Sequence, residues 1–129
     1  MKTLALLLVL WGCAAQAQPE DARAAYRTGL ALRNGVNVTA SGLDNAALAA
    51  QSIARAARGG LPEAMFTWSN MLAAGEGVAP DAAAARRWLE ESAALGYAPA
   101  LQELALREPD PRRAALLMRQ AEHALRHQP

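Results

Sequence analysis

Lysine is almost missing from this chain of 129 residues: Lys2 is the only one. Cysteine is equally scarce, with Cys13 alone, and isoleucine occurs once, at Ile53. Aromatic residues make up 5% of the sequence. Each shortage removes a class of protein. A single cysteine cannot close a disulfide within the chain, so the fold must be held by packing. Valine, isoleucine, threonine and aromatics are too sparse to build a sheet. Basic residues barely outnumber acidic ones, 13 to 12, and without Lys2 the balance is zero. A nucleic-acid partner calls for a marked basic face, so none is expected. No apolar run approaches the roughly 20 residues that span a bilayer.

The N-terminus has its own order. Met1-Lys2-Thr3 is short and positive, Leu4 to Trp11 is unbroken apolar, and Gly12-Cys13-Ala14-Ala15-Gln16-Ala17 is small or polar. This is the layout of a secretory signal peptide, assigned to residues 1–17. Two processing routes fit. Ala15-Gln16-Ala17 is an A-x-A site that would free a soluble chain from Gln18. Leu10-Trp11-Gly12-Cys13 resembles a lipobox, which would place a lipid anchor on Cys13. The expected location is therefore the periplasm or the medium, or the bacterial envelope if Cys13 is lipidated. Contact with a membrane is expected only in the lipidated form. Residues 18–129 remain as one domain.

What is abundant is alanine, with arginine as the only base after Lys2, and both favour helices. The fold class is all-α. Six helices are predicted, over about Glu20–Arg33, Asn45–Arg58, Pro62–Ala74, Asp81–Leu95, Pro99–Arg107 and Pro111–His127. Their ends carry the usual punctuation. Pro62, Pro99 and Pro111 suit a first turn, Asp110 an N-cap, and Gly60 and Gly96 the left-handed residue that stops a helix. Gly75 and Gly77 make an internal turn. The six helices pair as three antiparallel hairpins.

Spacing within the helices adds a repeat. Ala85, Trp88, Leu89 and Ser92 share one face of the fourth helix, opposite Arg86, Arg87, Glu90 and Glu91. Those charges form the i,i+4 pairs Arg86–Glu90 and Arg87–Glu91 of a solvated face. The second helix has the same apolar positions at Ala49, Ser52, Ile53 and Ala56, and the sixth at Ala114, Leu117, Met118 and Ala121. The unit that begins at Ala64 begins again at Ala100, a period of 36 residues.

Ala64–Ala100 resembles the Sel-like (Sel-1-like) repeat, a short relative of the tetratricopeptide repeat. The matching positions are Ala64, Gly75, Gly77, Val78, Asp81, Ala85, Trp88, Ala93 and Gly96. Leu72 and Leu89 stand where the family pattern has tyrosine, and Ser92 where it has alanine. Repeats are placed at about 24–60, 61–97 and 98–127. The first has a lengthened turn at Val36–Leu43, and the third lacks the Gly-x-Gly-Val turn. The resemblance implies a short right-handed α-solenoid that binds a protein partner without catalysis, on a concave surface lined by the first helix of each hairpin. Candidate partner-binding positions there are Arg27, Met65, Thr67, Asn70 and Gln102, and the Val36–Leu43 turn is a further place for partner contacts. Gly29, Ser69 and Ala105 align as small residues at the closest approach of paired helices. Trp68 and Trp88 are expected in the core.

Little else suggests chemistry. His123 and His127 are four residues apart on the last helix, a spacing that can hold a metal, but they have no third ligand in the pattern. No cofactor, metal or catalytic residue is expected. Asn37-Val38-Thr39 matches a glycosylation sequon, which has no meaning in a bacterium. A lipid-anchored subunit of an envelope assembly, a small metal-binding protein or enzyme, and self-association through an imperfectly capped end remain the alternatives.

Overall fold

A computed structural model describes residues 19–35 and 45–128, with nothing described of the Pro19 side chain. The expected signal peptide, Cys13, the Asn37 sequon match and the expected Val36–Leu43 turn lie outside the described residues. Six helices follow one another: α1 Pro19–Arg33, α2 Asn45–Arg58, α3 Pro62–Ala74, α4 Ala82–Ala94, α5 Ala98–Arg107 and α6 Pro111–Arg126. Among the described residues there is no strand and no helix long and apolar enough to cross a membrane.

The expected bounds are met within a residue, and the differences have capping causes. Asp81 is not the first residue of α4 but its N-cap, accepting from the Ala84 amide at 3.0 Å. Asp110 caps α6 in the same way through Arg112. Gly60 and Gly96 take φ of 89° and 79° just past α2 and α4, where a residue with a Cβ would be strained. Of the two charge pairs expected on α4, Arg86–Glu90 closes at 2.8 Å, while Arg87–Glu91 makes no such contact.

The helices pack as three hairpins in sequence, α1 on α2, α3 on α4 and α5 on α6, with α2 meeting α3 and α4 meeting α5. Two hydrophobic clusters result. The first joins hairpins one and two around Ile53, Trp68, Met71 and Leu72, with alanines filling the remainder. The second joins hairpins two and three around Leu89, Ala93, Ala98, Leu101 and Ala121. Trp68 is buried; Trp88 is half-buried and covers the edge of the first cluster.

The aligned small residues sit at the crossings. A Cβ at Gly29 would lie 2.5 Å from Ile53 Cγ1 and 3.2 Å from the Ala49 carbonyl oxygen. Ser69 donates its hydroxyl to the Ala85 carbonyl at 2.7 Å, so it ties α3 to α4 while occupying almost no space. Ser92 does the same from α4 to the Pro62 carbonyl at 2.8 Å. Ala105 is buried at the third crossing.

Gly29 lies inside a helix, where alanine is ordinarily favoured by about 1 kcal/mol. Overpacking against Ile53 costs about 1–3 kcal/mol and outweighs that gain. Gly29→Ala should therefore lower the urea midpoint, and adding Ile53→Val should recover part of the loss. A midpoint raised by Gly29→Ala would show that the helices do not meet there.

Candidate functional site

The first helices of the hairpins share a face because of what connects them. Tyr26 on α1 lies 3.1 Å from the Thr67 hydroxyl on α3. Thr67 donates its proton to the Glu63 carbonyl one turn back, at 2.9 Å. With its single proton committed, Thr67 accepts from Tyr26. On the same helix, Phe66 meets Tyr97, the residue that precedes α5, with ring centroids 5.6 Å apart and planes tilted by 60°. A tilted pair at this distance is a favourable aromatic contact. Tyr26, Phe66 and Tyr97, all half-buried, thus run from α1 across α3 to the start of α5.

The electrostatics of this row are set by burial. Desolvation pushes the Tyr97 hydroxyl above the ordinary tyrosine range, and the nearby Tyr26 and Glu63 push it in the same direction. Glu63 is half-buried, and its Oε2 is sealed from solvent with no hydrogen-bond partner among the described residues.

The residues expected to meet a partner divide in two. Arg27, Asn70 and Gln102 are exposed. Met65 and Thr67 are not: they are only 6% and 8% exposed. Met65 is turned into the first hydrophobic cluster. Thr67 is covered because Tyr26 folds over it to reach its hydroxyl. The sequence pattern missed Tyr26, Phe66 and Tyr97 as surface residues. Their signal is the repeat register, in which Tyr26, Phe66 and Gln102 are equivalent positions on α1, α3 and α5.

The signature residues of the middle repeat have structural places. Ala64 and Ala85 are buried at the α3–α4 contact. Gly75 ends α3 with φ of 71°, and Gly77 has φ of 68°. A Cβ on Gly77 would collide with the Ala46 carbonyl at the start of α2. Val78 packs on the first cluster. Between the glycines, Glu76 is held in a two-pronged contact by Arg33, at 2.7 and 3.0 Å. This exposed pair, which raises the Arg33 guanidinium's affinity for its proton, adds about 1 kcal/mol or less. The turn of hairpin two is therefore clamped over the end of hairpin one.

The connections inside the hairpins differ in length: residues 34–44, 75–81 and 108–110. The shortest leaves space. By repeat register, Ala46 corresponds to Ala82, Ala50 to Arg86, Ile53 to Leu89 and Ala54 to Glu90. Of the first set, Ala46 lies against Gly77 of the Gly75–Asp81 turn, and Ala50, Ile53 and Ala54 are buried. The second set lines an open groove of about 570 Å³, floored by Leu89, Leu104 and Leu117. The place that a longer turn would occupy is a solvated groove edged by the Arg86–Glu90 pair.

At the end of the stack, His123 and His127 lie with ring centroids 4.3 Å apart. No group of three or more metal-ligating side chains occurs among the described residues.

No protein-family model matches the sequence, and no curated protein matches it. Its structure is similar to the crystal structure of a Sel1 repeat protein from Oxalobacter formigenes, with a TM-score of 0.68 and 20% identity over 89% of this chain. The match takes in 47% of that protein, so the chain spans about half its length. The chain has the Sel1-repeat solenoid fold.

The Tyr26–Thr67–Glu63 relay predicts coupling between helices that scarcely touch otherwise. Tyr26→Phe and Thr67→Val should each lose about 1 kcal/mol of stability. In a double-mutant cycle by urea unfolding they should be non-additive by at least about 0.5 kcal/mol. Strict additivity would remove the bond between the two hydroxyls.

Proposed function

We propose that this chain is an exported, non-catalytic scaffold module that holds a polypeptide along the face made by α1, α3 and α5. One observation carries the reading. This face interleaves exposed polar residues, Arg27, Asn70 and Gln102, with the half-buried aromatic row of Tyr26, Phe66 and Tyr97. Aromatic and arginine side chains are those that dominate protein interfaces. The Sel1-repeat fold supports a role through surface shape, since a solenoid presents an extended face built by repetition.

The order of residues 1–17 supports export, with release after Ala17 leaving a soluble module. Cys13 supports the other route, in which a lipid holds the same module at the bacterial envelope. Both routes give the first-helix face to a partner outside the cytoplasm. The lengthened connection around Val36–Leu43 follows α1 directly and extends the same reading to a second contact region.

A photo-crosslinking residue placed at Arg27, Asn70 or Gln102 should capture one common protein from envelope extract, while the same residue at Arg87 or Glu91 should not. Equal capture from both sets would move the partner surface elsewhere. Radiolabelled palmitate should leave the mature chain unlabelled if release follows Ala17, and should label Cys13 if the anchor is used.

A further inference from the structure

We propose that the open groove between α4, α5 and α6 is a second docking site, which takes a turn of a partner protein with the order acidic residue, glycine, apolar residue. The proposal uses none of Arg27, Asn70 and Gln102, so it stands apart from the reading of the first-helix face. It starts from what covers the equivalent surface one hairpin earlier. There the chain's own turn supplies three things. Gly77 meets the Ala46 carbonyl, where a Cβ has no room. Val78 packs on the first hydrophobic cluster. Glu76 carries a carboxylate to Arg33. Glu76-Gly77-Val78 is thus a pattern for what a surface of this shape accepts.

The groove presents counterparts of all three features, with no turn of this chain to meet them. Ala82, the counterpart of Ala46, lies exposed at the start of α4 and lines the groove. Leu89, Leu104 and Leu117 floor it, one from each helix, and Leu89 is the counterpart of Ile53. Its volume of about 570 Å³ falls within the range of clefts that hold ligands. Arg86 and Glu90 stand where hairpin one has the buried Ala50 and Ala54, so the edge is solvated while the groove is open.

The charge for an incoming carboxylate comes from Arg113. This side chain reaches Asp110 only at 3.7 Å, beyond hydrogen-bond length, and meets no other acceptor among the described residues. The remaining charges on the rim are committed: Arg86 to Glu90, Arg107 to Glu103, and Glu108 to the Asp110 amide. Arg113 also stands in the first turn of α6, which holds no acidic residue and where the helix dipole favours an anion over a cation. A carboxylate placed there gains from the guanidinium donors and from the helix end together. With an apolar side chain on the leucine floor and glycine between the two, the turn reproduces in trans what Gly75–Asp81 does within the chain.

The test uses the purified chain, with amide chemical shifts followed as a peptide is added. The probe is acetyl-Ala-Gly-Glu-Gly-Val-Ala-Pro-amide, the sequence of residues 74–80. It should shift the signals of Ala82, Leu89, Leu104 and Leu117 saturably. A peptide with glutamine for glutamate should bind about two- to fivefold more weakly, the range that a solvent-exposed charge pair gives. One with serine for valine should lose about tenfold, since the leucine floor then gains no apolar side chain. Arg113→Gln should reduce the glutamate peptide to the level of the glutamine peptide and leave the glutamine peptide unchanged, with the melting temperature kept. Arg119→Gln removes the same charge from α6 outside this groove and should change neither. No shift at these amides, equal binding of the glutamate and glutamine peptides, or equal losses from Arg113→Gln and Arg119→Gln overturns the site. Shifts of the same signals on concentrating the chain alone would assign the groove to a second copy and overturn it as well. The crosslinking from Arg27, Asn70 and Gln102 decides the first-helix face separately from all of these outcomes.

Discussion

Two helices approach closely only where one of them has almost no side chain, and this solenoid depends on that condition at each crossing. At the first, Gly29 leaves the room that Ile53 fills. At the second, Ser69 is small enough to fit and polar enough to bond the Ala85 carbonyl. At the third, Ala105 suffices. With hairpins this tight, alanine can form most of the core, since short side chains still reach across the gap. A core of this composition has little slack to absorb added volume. Trp68, Met71 and Leu72 then fill the wider spaces between hairpins.

The constraint between hairpins is of a different kind, because it resides in the turns. The Gly75–Asp81 turn lies over the start of α2, with Gly77 against the Ala46 carbonyl and Glu76 gripped by Arg33. Where the following hairpin shortens its turn to residues 108–110, the corresponding surface opens, and charges replace buried alanines at Arg86 and Glu90. Turn length thus decides which parts of each α2-type helix are covered. It also explains why a period kept within the helices coexists with connections that vary so widely. The solved Sel1 repeat protein shares the fold at 20% identity.

The face made by α1, α3 and α5 arises from the same geometry. Close hairpins place α1 and α3 near enough for Tyr26 to reach Thr67, and this one bond covers Thr67. A side chain that ties the stack together therefore also shapes the surface of α1 and α3.

Element order, helix bounds and hairpin pairing were all legible in the chain, because each rests on local chemistry. Proline opens a helix, glycine with positive φ closes one, and a period of 36 residues superimposes α2 on α4. The small residues at Gly29, Ser69 and Ala105 were legible for the same reason. The surface was not. Met65 and Thr67 fall at positions that helical periodicity alone cannot separate from exposed ones, and only the neighbouring hairpin and Tyr26 bury them. Trp88 carries a repeat signature yet lies half-open, while Trp68 lies inside. Helix starts, stops and hairpin order could be read from the residues, since they depend on chemistry a few residues apart. Which side chains are buried and which stay exposed came only from the folded chain, since burial depends on what arrives from 40 residues away.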